Sequence, residues 1–132
     1  MNKRKLQIAT AVLALIPTIT GVLGMTGITD PLYGDLAMPQ DATLDSNLRF
    51  LSGVWLGLGL TAFWLLPRIE RETNLFRACW LMIFIGGIGR LLSQALTGTP
   101  LPPFIVVTVL EIIGAPLFIG WQHRVARAHE RK

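Results

Sequence analysis

The stretch LFRACWLMIFIGGIGRLLSQAL, residues 75–96, decides the fold class. A membrane helix needs about 20 apolar residues to cross roughly 30 Å of hydrocarbon, and this run has that length and composition. Arg90 lies inside the run, preceded by six residues that are apolar or glycine and followed by two leucines. The stretch therefore predicts a transmembrane helix that carries a charge within the membrane.

Three more apolar stretches have a similar length, and the whole chain is strongly apolar. Of its 132 residues, 52% are hydrophobic and only 15% are charged, a composition that excludes an ordinary soluble domain. We therefore predict an all-α membrane protein, a four-transmembrane-helix bundle that forms a single domain over residues 1–132. Its helices are expected at about 6–25, 48–66, 75–96 and 103–121, with an outer loop at 26–46.

The basic residues are concentrated at one side of this predicted bundle. Ten of the twelve lysines and arginines lie before the first stretch, around the connection of the second and third, or after the fourth, and the other two connections contain none. The positive-inside rule then places both termini of this multi-pass membrane protein in the cytoplasm. The net charge of +4 reflects this topology, so no nucleic acid is expected as a partner.

Few side chains suited to redox or metal chemistry occur in the chain. Cys79 is the single cysteine, which excludes a dithiol relay within one chain. Both histidines, His123 and His129, lie in the basic tail, away from the predicted membrane interior. We therefore expect no cofactor and no metal site, and the pattern favours a protein that is not an enzyme.

Two ionisable residues lie deep in predicted helices at matching depth. At about 1.5 Å per residue, Arg90 lies about 9 Å from the outer end of its helix, and Glu111 lies about 12 Å from the outer end of the fourth. Side chains lean towards the N-terminus of their helix, so Arg90 leans inward and Glu111 leans outward, towards each other. Because a charge in the bilayer needs a partner, we predict a buried ion pair between them.

Other polar residues extend this pair into a predicted cluster in the outer half of the bundle. Arg49 lies four residues after Asp45 and is expected to pair with it or to reach headgroups and water. The cluster has three interpretations: an ion pair that fixes helix register, a site for an amphiphile or an anion, and a proton relay through Glu111. The candidate residues are Arg90, Glu111, Arg49, Asp45, Gln94 and Ser93.

Several glycines are spaced for close helix packing. Gly53 and Gly57 form a G-x-x-x-G motif, and the third stretch contains Gly86, Gly87 and Gly89. Small residues at such spacing let helix backbones approach closely. We expect these glycines to pack against helices of the same chain or of a second copy.

Short motifs carry a resemblance to a known family. They are R-x-x-x-G at 49–53, P-R-x-E at 67–70, G-G-x-G-R-L-x-S at 86–93, and the glutamate of the fourth stretch. In these features the chain resembles Domain of Unknown Function 4345, a family of small bacterial four-span membrane proteins. The resemblance implies a location in the bacterial inner membrane, a fold distantly similar to DoxX-like four-helix proteins, and no established activity. It singles out Arg49, Gly87, Arg90, Ser93 and Glu111.

Three functions fit these observations. The first is a binding module for a lipid headgroup or another small amphiphile, or an accessory subunit of a membrane assembly. The second is a DoxX-like redox-accessory subunit whose soluble partner would supply the cofactor. The third is a purely structural homo-oligomer. The expected partners are the lipid bilayer, an amphiphilic ligand, and a second copy or another membrane protein.

The predicted topology is testable with reporter fusions. Because the basic residues lie at one side, we expect a reporter fused after Lys132 to be active only in the cytoplasm. A cysteine introduced at Gly34 is expected to react with a membrane-impermeant reagent added from outside. Periplasmic activity of the C-terminal fusion would refute the topology.

Overall fold

The computed structural model describes residues 2–131, and this part of the chain is helical with no strand. Four helices are long and apolar enough to span a membrane, which confirms the predicted fold class. They are α1 (Lys3–Gly24), α2 (Ala42–Leu65), α3 (Thr73–Thr97) and a fourth span, Pro102–Glu130, that consists of α4 (Pro102–Val109), a π turn (Leu110–Gly114) and α5 (Ala115–Glu130). The side of the membrane on which the termini lie stays a prediction.

The chain divides into two compact units, and the single domain expected over residues 1–132 stays a prediction. The first unit, Gln7–Leu66, contains α2 and nearly all of α1. The second unit, Met1–Leu6 with Pro67–Lys132, contains α3, α4 and α5. Each unit has its own contacts and is described by itself.

Two helices extend beyond the predicted apolar stretches. The helix α2 begins at Ala42, about one and a half turns before residue 48, because the Asp41 side chain caps it by accepting a hydrogen bond from the Leu44 amide at 2.8 Å. The fourth span continues to Glu130 instead of ending near residue 121, because Val125 and Ala126 are buried there. Apolar content marks where a helix meets lipid, whereas caps and packing set where it ends.

Glycine allows α1 and α2 to approach closely within the first unit. A Cβ added at Gly21 would lie 2.7 Å from the Leu56 amide nitrogen and 2.8 Å from its Cα, so only glycine fits. The predicted G-x-x-x-G motif does not make this close approach to α1. A Cβ added at Gly53 would make only an ordinary contact with Met25, at 3.6 Å, and Gly57 faces open space. Within this unit the close approach therefore uses Gly21, and packing of Gly53 and Gly57 against a second copy stays a prediction.

Aromatic rings form the core of the second unit near the start of α3. The rings of Phe76 and Trp80 have centroids 6.1 Å apart, and Trp80 lies 4.4 Å from Phe118 of α5. Beside them, Gln122 is fully buried and donates hydrogen bonds to the Ile69 carbonyl at 3.0 Å and to the Thr73 hydroxyl at 2.9 Å. This polar contact ties α5 to the turn before α3.

An ion pair joins the start of α1 to that same turn. The Lys3 ammonium lies 2.8 Å from each carboxylate oxygen of Glu70 and 3.2 Å from the Pro67 carbonyl. Burial disfavours the ionised form of Glu70, but hydrogen bonds, chiefly from Lys3, outweigh it and hold the pKa of this carboxyl below its ordinary value. Glu70 is therefore ionised at neutral pH and balances the charge of Lys3.

The glycine contacts predict opposite outcomes for two alanine substitutions. We expect Gly21→Ala to lower the free energy of unfolding by about 1 to 3 kcal/mol, because its Cβ would meet backbone atoms of Leu56. The matched control, Gly57→Ala, has open space and is expected to be neutral or to stabilise by up to about 1 kcal/mol through helix propensity. Thermal unfolding in detergent measures both. Equal effects of the two substitutions would contradict the packing described for α1 and α2.

Candidate functional site

Arg90 of α3 and Glu111 of the π turn form an ion pair inside two membrane spans. Arg90 Nε lies 3.2 Å from Glu111 Oε1 and 3.0 Å from Oε2. The carboxylate is 6% exposed and the arginine side chain 37%, so one partner is buried and the other half-buried. The sequence predicted this ion pair from the shared depth of the two residues and the opposite directions of their side chains, and the structure confirms the contact.

The backbone brings the two residues together through a glycine and a π turn. A Cβ added at Gly87 would lie 2.8 Å from the Glu111 Cβ and 3.0 Å from Ile112 Cδ1, so α3 can approach the π turn only because residue 87 has no side chain. Single π turns inside α-helices are rare and occur frequently at functional sites. Here the turn, Leu110–Gly114, contains the only acid within the four predicted apolar stretches.

Most of the hydrogen-bonding capacity of Arg90 is unused. Only Nε bonds to Glu111, and the two terminal nitrogens, Nη1 and Nη2, have no hydrogen-bond partner among residues 2–131. The guanidinium carbon lies 5.6 Å from the centre of the Phe104 ring, within the range of a cation–π contact. The far edge of the guanidinium therefore presents free donors beside an aromatic ring.

A second polar contact lies one turn further along the same two helices. Gln94 Nε2 donates to the Thr108 hydroxyl at 3.2 Å, and that hydroxyl donates to the Phe104 carbonyl at 2.8 Å. Thr108 is buried and Gln94 is half-buried. Of the predicted cluster, Ser93 is exposed and bonds to Thr97 one turn away on its own helix, with the hydroxyl oxygens 3.3 Å apart.

The other predicted pair, Arg49 and Asp45, belongs to the first unit and anchors a loop. Arg49 Nε donates to Asp45 Oδ2 at 2.7 Å, and its terminal nitrogens donate to the carbonyls of Met25 at 2.7 Å and Thr26 at 3.2 Å. Asp45 also accepts from the Ile28 amide at 3.1 Å. These contacts connect the end of α1 to the start of α2, so all three nitrogens of Arg49 are engaged in structure.

Glycine is required at the centre of this anchor. Gly27 has a φ of +66°, a left-handed conformation that glycine adopts without strain. A Cβ at this position would also overlap the Asp45 carboxylate. The loop therefore closes over the Asp45 and Arg49 pair only with residue 27 as glycine.

The structure thus divides the predicted cluster between two settings. Arg90, Glu111 and Gln94 lie along the contact of α3 with the fourth span, whereas Arg49 and Asp45 hold a loop within the other unit. Among the predicted packing glycines, Gly87 makes a close contact, while Gly86 and Gly89 face open space.

Two elements of the site were not predicted from the sequence. Phe104 is four residues before Thr108 and seven before Glu111, a helical spacing that marks one face and could have identified it. The π turn is close to Pro116, whose missing amide donor is a signal of irregular hydrogen bonding upstream.

The ion pair itself can be tested by a double-mutant cycle of Arg90→Met, Glu111→Leu and the double variant. We expect Arg90→Met to cost about 3 to 5 kcal/mol, because it leaves Glu111 buried and unpaired. Glu111→Leu is expected to cost less, since the half-exposed arginine can reach a more polar region. The double variant is expected to recover part of the loss, as measured by unfolding in detergent. Strictly additive losses would show that the two side chains do not interact.

The comparison with known families agrees with the resemblance of the motifs. The profile described as "Domain of unknown function (DUF4345)" matches residues 5–122 of the chain. That range contains Arg90, Glu111, Gln94, Phe104 and Thr108. No curated protein and no solved structure matches the chain. Because the match covers far more than half of the 132 residues, the chain belongs to the DUF4345 family.

Proposed function

We propose that this protein is a membrane-embedded binding module in which Arg90 holds the polar head of an amphiphile, in the inner membrane of a bacterium. The observation that carries the proposal is the free edge of the Arg90 guanidinium. Both terminal nitrogens lack a partner among the described residues, although the side chain belongs to a membrane span. Donor groups in such a region require an acceptor from outside the chain.

The energetics support an external partner. Placing a polar group in hydrocarbon without a hydrogen-bond partner costs roughly several kcal/mol of free energy, because no water is present to bond to it. Intramembrane charged residues accordingly face protein, water or a ligand, and they are functional more often than not. Glu111 satisfies the charge of Arg90 but only one of its three nitrogens. A polar headgroup would satisfy the other two.

Space for such a head exists beside Arg90 on α3. A side chain on a helix leans over the preceding turn, which here contains Gly86 and Gly89. Apart from the adjacent residues and the nearby backbone of α3 itself, no atom lies within 4 Å of the Cβ position at either glycine. Met82 and Ile85 lie one turn before Gly86 and Gly89 on the same face of α3, and both side chains are exposed and offer contacts for an alkyl tail.

The binding function is testable by native mass spectrometry of protein extracted gently from its host. We expect the wild type to retain a bound amphiphile and Arg90→Lys to lose at least about nine-tenths of it, because lysine keeps the charge but not the planar fork of donors. Arg127→Lys, the same change at an exposed position near the C-terminus, is the matched control and is expected to retain the ligand.

The variant Arg49→Lys tests whether ligand retention depends on Arg90 alone or also on the loop anchor formed by Arg49 and Asp45. Since Arg49 spends its donors on Asp45 and two carbonyls, we expect this variant to lose stability and keep the ligand. Equal retention in the wild type and Arg90→Lys, or no bound species in either, would contradict the proposed function. The ion pair would then serve to fix the register of α3 against the fourth span.

A further inference from the structure

We infer that the head of this ligand is uncharged and presents an oxygen acceptor, such as a ketone or ester carbonyl, to the free nitrogens of Arg90. This inference rests on the proposed function and narrows it to one chemical class. The inference is based on the charges of Arg90 and Glu111 and on the hydrogen-bond donors and acceptors that remain unpaired beside them.

The charge of Arg90 is already neutralised. Glu111 lies 3.0 and 3.2 Å from Nε with both carboxylate oxygens, and its side chain is almost fully buried. An anionic head at Nη1 and Nη2 would meet this carboxylate across a single guanidinium, and repulsion between like charges is strong where the dielectric constant is low. Attraction to Arg90 would therefore be offset by repulsion from Glu111.

The other arginine within a predicted span supplies no surplus positive charge. Arg49 is paired with Asp45 at 2.7 Å through Nε and at 3.3 Å through Nη2. A net positive pocket would require that Asp45 face water and leave Arg49 unpaired, and the contact shows the opposite. Each of the two arginines is paired with a carboxylate, so neither leaves an excess positive charge that would attract a phosphate or carboxylate head.

What Arg90 still offers is hydrogen-bond donors. A carbonyl oxygen accepts two hydrogen bonds and brings no charge into the membrane, so it matches the two free nitrogens. One turn away, Gln94 uses Nε2 on Thr108, while its Oε1 has no partner among residues 2–131. This oxygen can accept from a hydroxyl next to the carbonyl, as in an ester of a polyol.

The inference is testable with two photoreactive probes that share one diazirine-bearing alkyl chain. One probe ends in a methyl ketone and the other in a sulfonate, which stays anionic at every working pH. The full chain is reconstituted in nanodiscs of ether-linked phosphatidylcholine, which has no ester carbonyl to compete with the probes. Crosslinks to the peptides around Arg90 and Phe104 are quantified by mass spectrometry. Labelling that is lost in Arg90→Lys counts as specific for the site. We expect the ketone probe to give at least about ten times more specific labelling than the sulfonate probe.

The charge balance can be reversed by Glu111→Gln. This change removes the carboxylate and leaves Arg90 uncompensated, so the ratio of labelling is expected to shift towards the sulfonate probe by about tenfold or more. Circular dichroism and size-exclusion chromatography establish whether the variant is folded, and the comparison in the wild type stands without it.

The outcomes separate the inference from the function on which it rests. Stronger or equal specific labelling by the sulfonate probe in the wild type would overturn the uncharged head and leave Arg90 as a binding residue. Absence of specific labelling by both probes would overturn the inference together with the proposed function.

Discussion

A charge that lies within the hydrocarbon of a membrane has to be balanced where it lies, and the pair of Arg90 and Glu111 meets this requirement by joining two helices. The pair needs a short distance between α3 and the fourth span, which in turn requires glycine at position 87. Side chain and backbone therefore depend on each other. The carboxylate holds the arginine, and the missing side chain at Gly87 lets the carboxylate come near.

The two arginines of the predicted cluster show how differently one side chain can be used. Arg49 bonds through all three nitrogens to Asp45 and to carbonyls just past the end of α1, so its role is complete within the protein. Arg90 bonds through Nε alone. Both residues occur near the predicted outer ends of apolar stretches, and the count of satisfied donors distinguishes the loop anchor Arg49 from the proposed binding residue Arg90.

The ion pair could be predicted from the sequence because depth and lean are properties of each helix alone. Rise per residue and the direction of the Cα–Cβ bond placed Arg90 and Glu111 at one level without knowledge of how helices pack. The helix contacts could not be predicted in the same way. A pattern of small residues shows that a close approach is allowed, but whether Gly21 or Gly57 makes it depends on which face meets a partner.

The loop between α1 and α2 is held by hydrogen bonds at both of its ends, so its attachment does not depend on its length. The bonds of Arg49 to Met25 and Thr26, with that of Asp45 to Ile28, fix the chain on leaving α1, and the cap at Asp41 fixes it on entering α2. Between these points, residues 34–40 are almost wholly exposed. Added residues in this interval would leave both attachments intact, so it is the natural place to insert an epitope or a rigid fiducial domain for imaging a membrane protein of this size.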